Sequence, residues 1–232
     1  MTNNATLTIE AGAVVLGDNG SALIVTRGVQ LITNGTAEQP VVFTSSLPEG
    51  ERRAGDLGGV VLLSNAPTNI GEGNIEGLQP TDTRGRFGGD DETHKRGSLL
   101  YTRIEFAGFE LSTDNELNGL TLGSCGSETT LDYIQVHQGK DDGIEFFGGL
   151  ARASHLVLTS IQDDSIDWDQ GFTGTLQYVV VQQNSSDADQ GIEADNNEDH
   201  NDATPRSAPT ITNATFIGTG IDSQGSQNGM VI

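Results

Sequence analysis

Hydrophobic and polar residues alternate in three short stretches that share one pattern: DGIEFFG (142–148), DSIDWDQ (164–170) and QGIEADN (190–196). In each stretch an Ile is followed by an acidic residue and then by another apolar residue. Successive side chains of a β-strand point to opposite faces, so the pattern predicts half-buried strands whose acids face outward. By the same alternation Trp168 faces the interior.

These stretches belong to a longer repeat with two columns of strands. The first column also contains NGLTLGS (118–124) and NGMVI (228–232), and its small residues at positions 119, 143, 165, 191 and 229 are 24, 22, 26 and 38 apart. The second column contains YTRIEF (101–106), LDYIQV (131–136), ASHLVL (153–158), LQYVVV (176–181) and ITNATF (211–216). Two short strands per coil and no helical periodicity predict an all-β fold, a right-handed parallel β-helix (solenoid), with residues 1–232 as one domain.

An antiparallel sandwich is the alternative, because it also has short strands at regular spacing. Hairpin dipeptides are scarce, however, and the repeats align with one another residue for residue. The β-helix is therefore the preferred interpretation.

Two long insertions interrupt the coils, at residues 67–97 and 196–208. Each follows a strand of the first column and precedes one of the second, so both should emerge at the same corner. Rungs stack ~4.8 Å apart, which predicts a trough of roughly 19 Å between the insertions. Solenoids often bind ligands on such surfaces, although surface loops also tolerate insertions without any function.

Composition and charge narrow the class of protein. The net charge is −22, from 33 acidic and 11 basic residues, which makes nucleic acid or an anionic membrane surface a poor partner. The single cysteine, Cys125, excludes an intramolecular disulfide and, with no base near it in sequence, predicts an inert thiol. No apolar run is long enough to span a membrane. The chain is expected to be a piece of a longer protein, with ends open to end-to-end self-association.

The outward acids fall into columns. Glu145, Asp167 and Glu193 form the first, Asp142 and Asp164 a second at the preceding corner, flanked by Asn118, Gln190 and Asn228, and Asp169 and Asp195 a third. Two like charges ~5 Å apart cost about 3 kcal/mol at an effective dielectric near 20, so something must relieve them. One explanation is Ca²⁺, the one cofactor that the pattern indicates, held by Glu145, Asp167, Asp169, Glu193 and Asp195. Another is that backbone N–H groups and side-chain amides donate hydrogen bonds to the carboxylates of the corner column.

A third explanation is catalysis by paired carboxylates, with Asp142, Asp164, Asp167 and Glu145 as candidates. Glycosidases that retain configuration need carboxyl groups ~5–5.5 Å apart, which adjacent rungs would supply. Enzymes that act on uronates need basic residues, and only Arg103, Lys140 and Arg152 are placed to serve.

Aromatic residues supply candidate ligand contacts. His155 is predicted to share an outward column with Arg103, Tyr133, Tyr178 and Asn213. Such a column could support a sugar ring, or could consist of ordinary cross-strand contacts. Phe147 and Phe172 are expected to be exposed in the trough. A zinc site is not expected, since no second histidine or cysteine lies at ligand spacing.

The segments TLTIEAGAVV, GSALIVTRGVQLITNGTAEQPVVFTSS, GGVVLLSNAP and NGLTLG, with DDGIEFFGG and DDSIDWDQG, resemble secreted β-helix repeat proteins of Gram-negative bacteria. The resemblance covers nearly the whole chain and implies a secreted or cell-surface location. Members of this group are commonly surface lipoproteins or exported proteins without an assigned activity. The resulting hypothesis is a glycan- or surface-ligand-binding module, with a polysaccharide hydrolase or lyase and a self-associating stalk as alternatives.

Overall fold

The computed structural model describes residues 5–112, 115–183 and 188–219. A six-stranded parallel sheet, called the first sheet, consists of β3 (Ala22–Val25), β6 (Gly59–Leu63), β12 (Leu120–Gly123), β14 (Ile144–Phe147), β16 (Ile166–Asp169) and β18 (Glu193–Ala194). A nine-stranded sheet, called the second sheet, consists of β1 (Thr6–Glu10), β2 (Val14–Gly17), β4 (Gln30–Asn34), β5 (Val41–Ser45), β9 (Gly97–Glu105), β13 (Thr130–His137), β15 (Arg152–Thr159), β17 (Thr175–Gln182) and β19 (Thr210–Ile217). The remaining elements are β7 (Gly73–Asn74), β8 (Arg86–Phe87), β10 (Glu110–Ser112), β11 (Asn115–Glu116) and a 3₁₀ turn, η1 (Thr83–Gly85).

Every pairing in the two large sheets is parallel, and the chain alternates between the sheets from one coil to the next. The predicted register of the first column is confirmed: Ile144 pairs with Ile166 and Phe146 with Trp168. These four side chains are buried in the interior of the solenoid. The predicted fold class, an all-β parallel β-helix, is therefore confirmed. Among the described residues no helix is long and apolar enough to cross a membrane.

The long strands of the second sheet bend at one residue each. Tyr101, Tyr133, His155, Tyr178 and Asn213 occupy the left-handed region, with φ between 44° and 57°. In the first two coils the corresponding segment is already split into separate strands, β1 and β2, then β4 and β5. Each coil thus has three straight faces, and the expectation of two short strands per coil missed this bend.

The bend residues also correct the register at β9. Asp132 pairs with Leu100 and Ile134 with Thr102, which places Tyr133 beside Tyr101. Arg103 pairs with Gln135 and so lies outside the Tyr133–His155–Tyr178 column in which it was predicted. The error arose because matching the Ile positions of YTRIEF and LDYIQV shifted β9 by two residues.

Phe172 is another correction, because it is fully buried and not exposed in a trough. Its ring stacks on Phe146 at a centroid distance of 4.3 Å. The corner after β16 turns the residue into the interior, where it fills the core with the apolar residues of the rung below. Burial of an aromatic side chain of this size is a major stabilising contribution.

The two insertions are in contact with each other. The open trough that the sequence predicted between them is therefore not found in the described residues. The first residues of insertion 67–97 run across the rungs: Gly149 donates to Pro67 O at 3.0 Å, and Asn69 N donates to Gln170 O at 2.9 Å. The Asn69 amide then donates to Asn196 O (2.7 Å) and Pro205 O (3.2 Å) of the second insertion. Because the first insertion travels along the axis, it crosses the expected gap.

Candidate functional site

The outward acids of the first sheet stack in a continuous column. Glu145 pairs with Asp167, and Asp167 with Glu193, in successive parallel strands. In the same column Thr121 lies one rung before Glu145, and Val61 lies one rung before Thr121. The repulsion is therefore confined to three neighbouring rungs spaced about 4.8 Å apart.

The corner column has a structural role. Asp142 accepts the backbone N–H of Asp164 at 3.2 Å, and Asp164 accepts that of Gln190 at 2.5 Å. Each of these carboxylates thus caps the corner of the next rung, as one of the sequence interpretations proposed. Asn118 instead donates to the Glu145 carboxylate and to Thr121 Oγ1. Asn228 lies outside the described residues.

In the part of the chain that the structure describes, carboxylate oxygens from neighbouring rungs converge in three groups, each with oxygens within 4.8 Å of one another. One group joins Asp142, Glu145 and Asp167, which are three of the four candidate catalytic residues. The others are Asp141–Asp142–Asp163 and Asp163–Asp164–Asp189, which contain the fourth candidate, Asp164. The sequence interpretation missed Asp141, Asp163 and Asp189, although the repeated doublets at 141–142 and 163–164 signal the first two.

The other proposed metal ligands lie outside these three groups. Glu193 extends the column beside Asp167, and Asp169 lies at the far end of β16 beside Phe147. Asp195 is exposed, and its backbone N–H donates to Trp168 O at 2.8 Å. Of the five residues proposed as ligands, only Glu145 and Asp167 share one of the groups.

Burial and mutual repulsion raise the pKa values of these carboxyl groups. Burial, then Glu193 and Asp169, raise the pKa of Asp167 to about 8. Burial, then Asp163, raise the pKa of Asp141 to about 7. For Asp142 and Glu145 the pKa is also raised, first by burial and then by Asp167. Without a bound cation, the cluster therefore retains protons near neutral pH.

The two neighbouring loops add carboxylates to this cluster. Glu76 of the first insertion and Glu116 of β11 both raise the pKa of Asp141 further. The pKa of Glu76 is itself raised, by partial burial and then by Glu116. No sequence pattern signalled Glu76, since its position depends on how an irregular insertion folds back.

Two carboxylate oxygens of the first sheet lack hydrogen-bond partners among the described residues. Asp167 Oδ1 and Asp169 Oδ1 are both fully covered by protein atoms. A buried carboxylate oxygen without a donor carries a desolvation penalty that a cation would relieve. Clustered carboxylate oxygens are hard ligands of the kind that Ca²⁺ takes. The residues present therefore fit a divalent cation.

The aromatic column of the second sheet is a stack of rings. Centroids are 4.2 Å apart for Tyr101–Tyr133 and for Tyr133–His155, and 4.9 Å apart for His155–Tyr178. Tyr133 and Tyr178 are 40% and 46% exposed. Because the ring faces cover one another, the rings present mainly their edges to solvent. These are cross-strand contacts, and they leave edges and hydroxyl groups for a ligand.

Phe147 and Cys125 are withdrawn from solvent to different degrees. Phe147 is half-buried and packs on Phe87 of the first insertion, with ring centroids 5.8 Å apart. Cys125 is 1% exposed, and burial raises the pKa of its thiol to about 12. A thiol so protonated and covered is unreactive, in agreement with the sequence interpretation.

Fold and site together define a parallel β-helix domain with an acidic outer face on one sheet. Comparison with known families is more specific: the chain belongs to the pectate-lyase-like β-helix domain family, which matches residues 1–232. The chain matches none of the curated proteins and none of the solved structures with which it was compared. Family membership fits a polysaccharide-related role and leaves the choice between binding and catalysis to the residues of the site.

Proposed function

We propose that this chain is a secreted or cell-surface carbohydrate-binding β-helix whose acidic first-sheet face binds Ca²⁺. One observation supports cation binding. Asp142, Glu145 and Asp167 bring oxygens within 4.8 Å of one another, and Asp167 Oδ1 is covered without a hydrogen-bond donor. The family match supports the carbohydrate part. The candidate glycan contacts are the exposed edges of Tyr133, His155 and Tyr178 and, beside the acidic face, Phe147.

A divalent cation accounts for the cluster better than protons alone. The pKa of Asp141 is raised to about 7 and that of Asp167 to about 8, first by burial and then by neighbouring carboxylates. A cation in this place would replace the protons and supply a partner for Asp167 Oδ1. Glu145, Asp142 and Asp167 would hold it, and Asp163 or Asp164 would hold a second ion in the adjacent groups.

The test is the melting temperature of the protein, first freed of metal and then titrated with Ca²⁺. A ligand that binds only the native state must raise stability, by about 2.7 kcal/mol at 100 times its Kd. We expect millimolar Ca²⁺ to raise Tm in the wild type and to act much less on Asp167→Asn. Asp90→Asn is the matched control, because Asp90 is an exposed acid of the first insertion. A Tm that does not respond to Ca²⁺ or to its removal would contradict the cation site.

A polysaccharide hydrolase or lyase is the second candidate, and a specific observation favours it. Asp167 and Glu145 lie on adjacent rungs, and the pKa of Asp167, raised to about 8, leaves its carboxyl group able to donate a proton near neutral pH. General acid–base catalysis needs such a pair. Incubation with neutral and uronate polysaccharides, with Asp164→Asn and Asp167→Asn as controls, tests it. Release of sugar by the wild type but by neither variant would establish catalysis, and no release from any substrate would count against it.

A further inference from the structure

A cavity lined by the β5–β6 loop and by residues of the second sheet contains several arginines in an otherwise acidic protein. Its volume is about 670 Å³, and its lining includes Arg52, Arg53 and Arg103. The whole chain has only 11 basic residues against 33 acidic ones. Two carboxylates, Glu49 and Glu105, also line the cavity, so its side chains carry one net positive charge if His137 is neutral.

Arg52 and Arg53 are positioned by the loop that connects β5 to β6. Arg52 Nε donates to Leu47 O at 2.9 Å, and Arg53 Nη1 donates to Gly50 O at 3.0 Å. The backbone N–H of Arg53 donates to Asp56 Oδ2 at 2.9 Å, which closes the turn. Among the described residues neither guanidinium has a carboxylate partner, and neither Nη2 atom has a hydrogen-bond acceptor. Both side chains therefore keep donors for a ligand.

Arg103 approaches the cavity from the second sheet. Its Nη2 atom contacts Glu105 Oε1 at 2.6 Å, while its Nε is covered by protein and has no acceptor in the described part of the chain. The covered Nε cannot reach a ligand, but the Arg103 side chain is 42% exposed, so the part of its guanidinium that faces the cavity can still donate to a carboxylate.

Gln138, Ser160 and His137 form part of the cavity lining, called the polar wall. Phe106, Gln138 and Ser160 are the corner residues of three successive rungs, with φ of 61°, 55° and 59°. Beside them lies His137, whose Nδ1 shares a hydrogen bond of 2.7 Å with Thr159 Oγ1. The amide of Gln138, the hydroxyl of Ser160 and the Nε2 of His137 can pair with hydroxyl groups of a ligand.

We propose that this cavity binds a small polyhydroxylated monocarboxylate, with its carboxylate on the arginines and its hydroxyl groups on the polar wall. A net lining charge of one suits a monoanion better than a dianion such as phosphate. The volume is within the range of about 300–1,000 Å³ that is usual for small-molecule sites. The site is independent of the acidic cluster, so it can exist whether or not the first sheet binds Ca²⁺.

The probe is D-gluconate, and its neutral counterpart is sorbitol, which has the same carbon chain without the carboxylate. Binding is followed by titration calorimetry and by NMR shifts of the Gln138 and Gln162 side-chain amides in buffer freed of metal on a chelating resin. We expect gluconate to bind in the millimolar range and sorbitol not to bind. Each of Arg52→Gln, Arg53→Gln and Arg103→Gln should weaken gluconate binding by about 10-fold or more, because a charge-assisted hydrogen bond is lost.

Arg84→Gln is the matched control, since Arg84 is an exposed arginine of the first insertion that pairs with Asp82. Arg53 is exposed, so its variant should fold even if the Arg52 or Arg103 variant does not. Equal binding of sorbitol, unchanged affinity in all three variants, or no binding of gluconate would overturn the proposal. Tighter binding of inorganic phosphate than of gluconate would overturn the monocarboxylate assignment. A Ca²⁺-dependent Tm with no gluconate binding would leave the proposed cation function standing.

Discussion

At the scale of single residues, the ionised carboxyl group of Asp167 destabilises the folded protein when no metal is bound. Its carboxyl group is unfavourable as an anion in the metal-free protein, since burial and neighbouring acids raise its pKa to about 8. The pKa is higher in the folded than in the unfolded chain. The protonated carboxyl group of Asp167 therefore contributes its full stabilisation below about pH 4, and this contribution is lost as the pH rises through about 8.

Asp167→Asn should therefore stabilise the metal-free protein at about pH 8, because Asn removes the charge and keeps the shape. We expect Tm to rise by at least about 3 °C, which corresponds to roughly 1 kcal/mol for a chain of this length. At about pH 5 the wild-type carboxyl is protonated, and the difference should shrink. Asp90→Asn should change Tm little at either pH. A lower Tm for Asp167→Asn at both pH values would show that the native carboxylate is stabilising.

Substitutions of Tyr133 test whether the bend in β13 carries backbone strain. Its φ of 57° is one that a β-branched residue avoids, whereas Asn213 occupies the equivalent bend of β19 at 55°. Tyr133→Asn should lose mainly the ring stacking, worth about 1 kcal/mol. Tyr133→Val should lose the same stacking and add backbone strain of about 1–2 kcal/mol, so its total loss should be about 2–3 kcal/mol. Denaturant unfolding of both variants measures the difference. Equal losses would mean that the bend carries no strain.

At the scale of elements, Asn69 holds the two insertions together. Its amide donates to the carbonyls of Asn196 and Pro205, and its Oδ1 accepts from Asn197 Nδ2 at 3.0 Å. Asn69→Ala removes these bonds, so we expect a loss of about 1–3 kcal/mol and faster amide exchange in residues 196–208. Asn201→Ala, on the exposed part of the same insertion, is the control. Unchanged exchange in the Asn69 variant would show that the insertions are held by other contacts.

Regular elements could be predicted from the sequence because burial enforces their periodicity. Ile144, Phe146, Ile166 and Trp168 must alternate with outward acids to fill the interior, and this alternation locates β14 and β16. The bend at Tyr133 has no such signature, since one left-handed residue leaves the surrounding alternation intact. For the same reason the register of β9 could not be assigned correctly from Ile positions alone.

Irregular segments account for the parts of the site that could not be predicted. Whether Phe172 faces in or out depends on how one corner turns. The paths of the first insertion and of the β5–β6 loop depend on contacts with distant rungs, such as that of Asn69 with Gln170. Glu76 and Arg52 reach their places by these paths. Neither is marked by any repeat in the sequence.

At the scale of the whole molecule, the strands at the two ends bear on self-association. Within the described residues β1 pairs only with β4, and β19 only with β17. Val14 and Leu16, in β2 of the first coil, are each 58% exposed. Exposed apolar side chains of this kind favour association, whereas a net charge of −22 opposes it. We expect light scattering to show growing assemblies with increasing protein concentration, more so at ~0.5 M than at ~0.05 M NaCl. A constant monomer mass would argue against a self-associating stalk.

The raised pKa values of the clustered carboxyl groups also link cation binding to proton release. The metal-free cluster holds protons near neutral pH, since the pKa of Asp141 is raised to about 7 and that of Asp167 to about 8. A cation needs ionised carboxylates, so its binding must release protons, and its affinity must rise with pH up to about pH 8–9 and then level off. Calorimetry at pH 7 in two buffers of different ionisation enthalpy measures the release directly. Asp90→Asn should release as many protons as the wild type, and Asp167→Asn fewer. Equal heats in both buffers would show that binding releases no protons, which would contradict a site on protonated carboxyl groups of the first sheet.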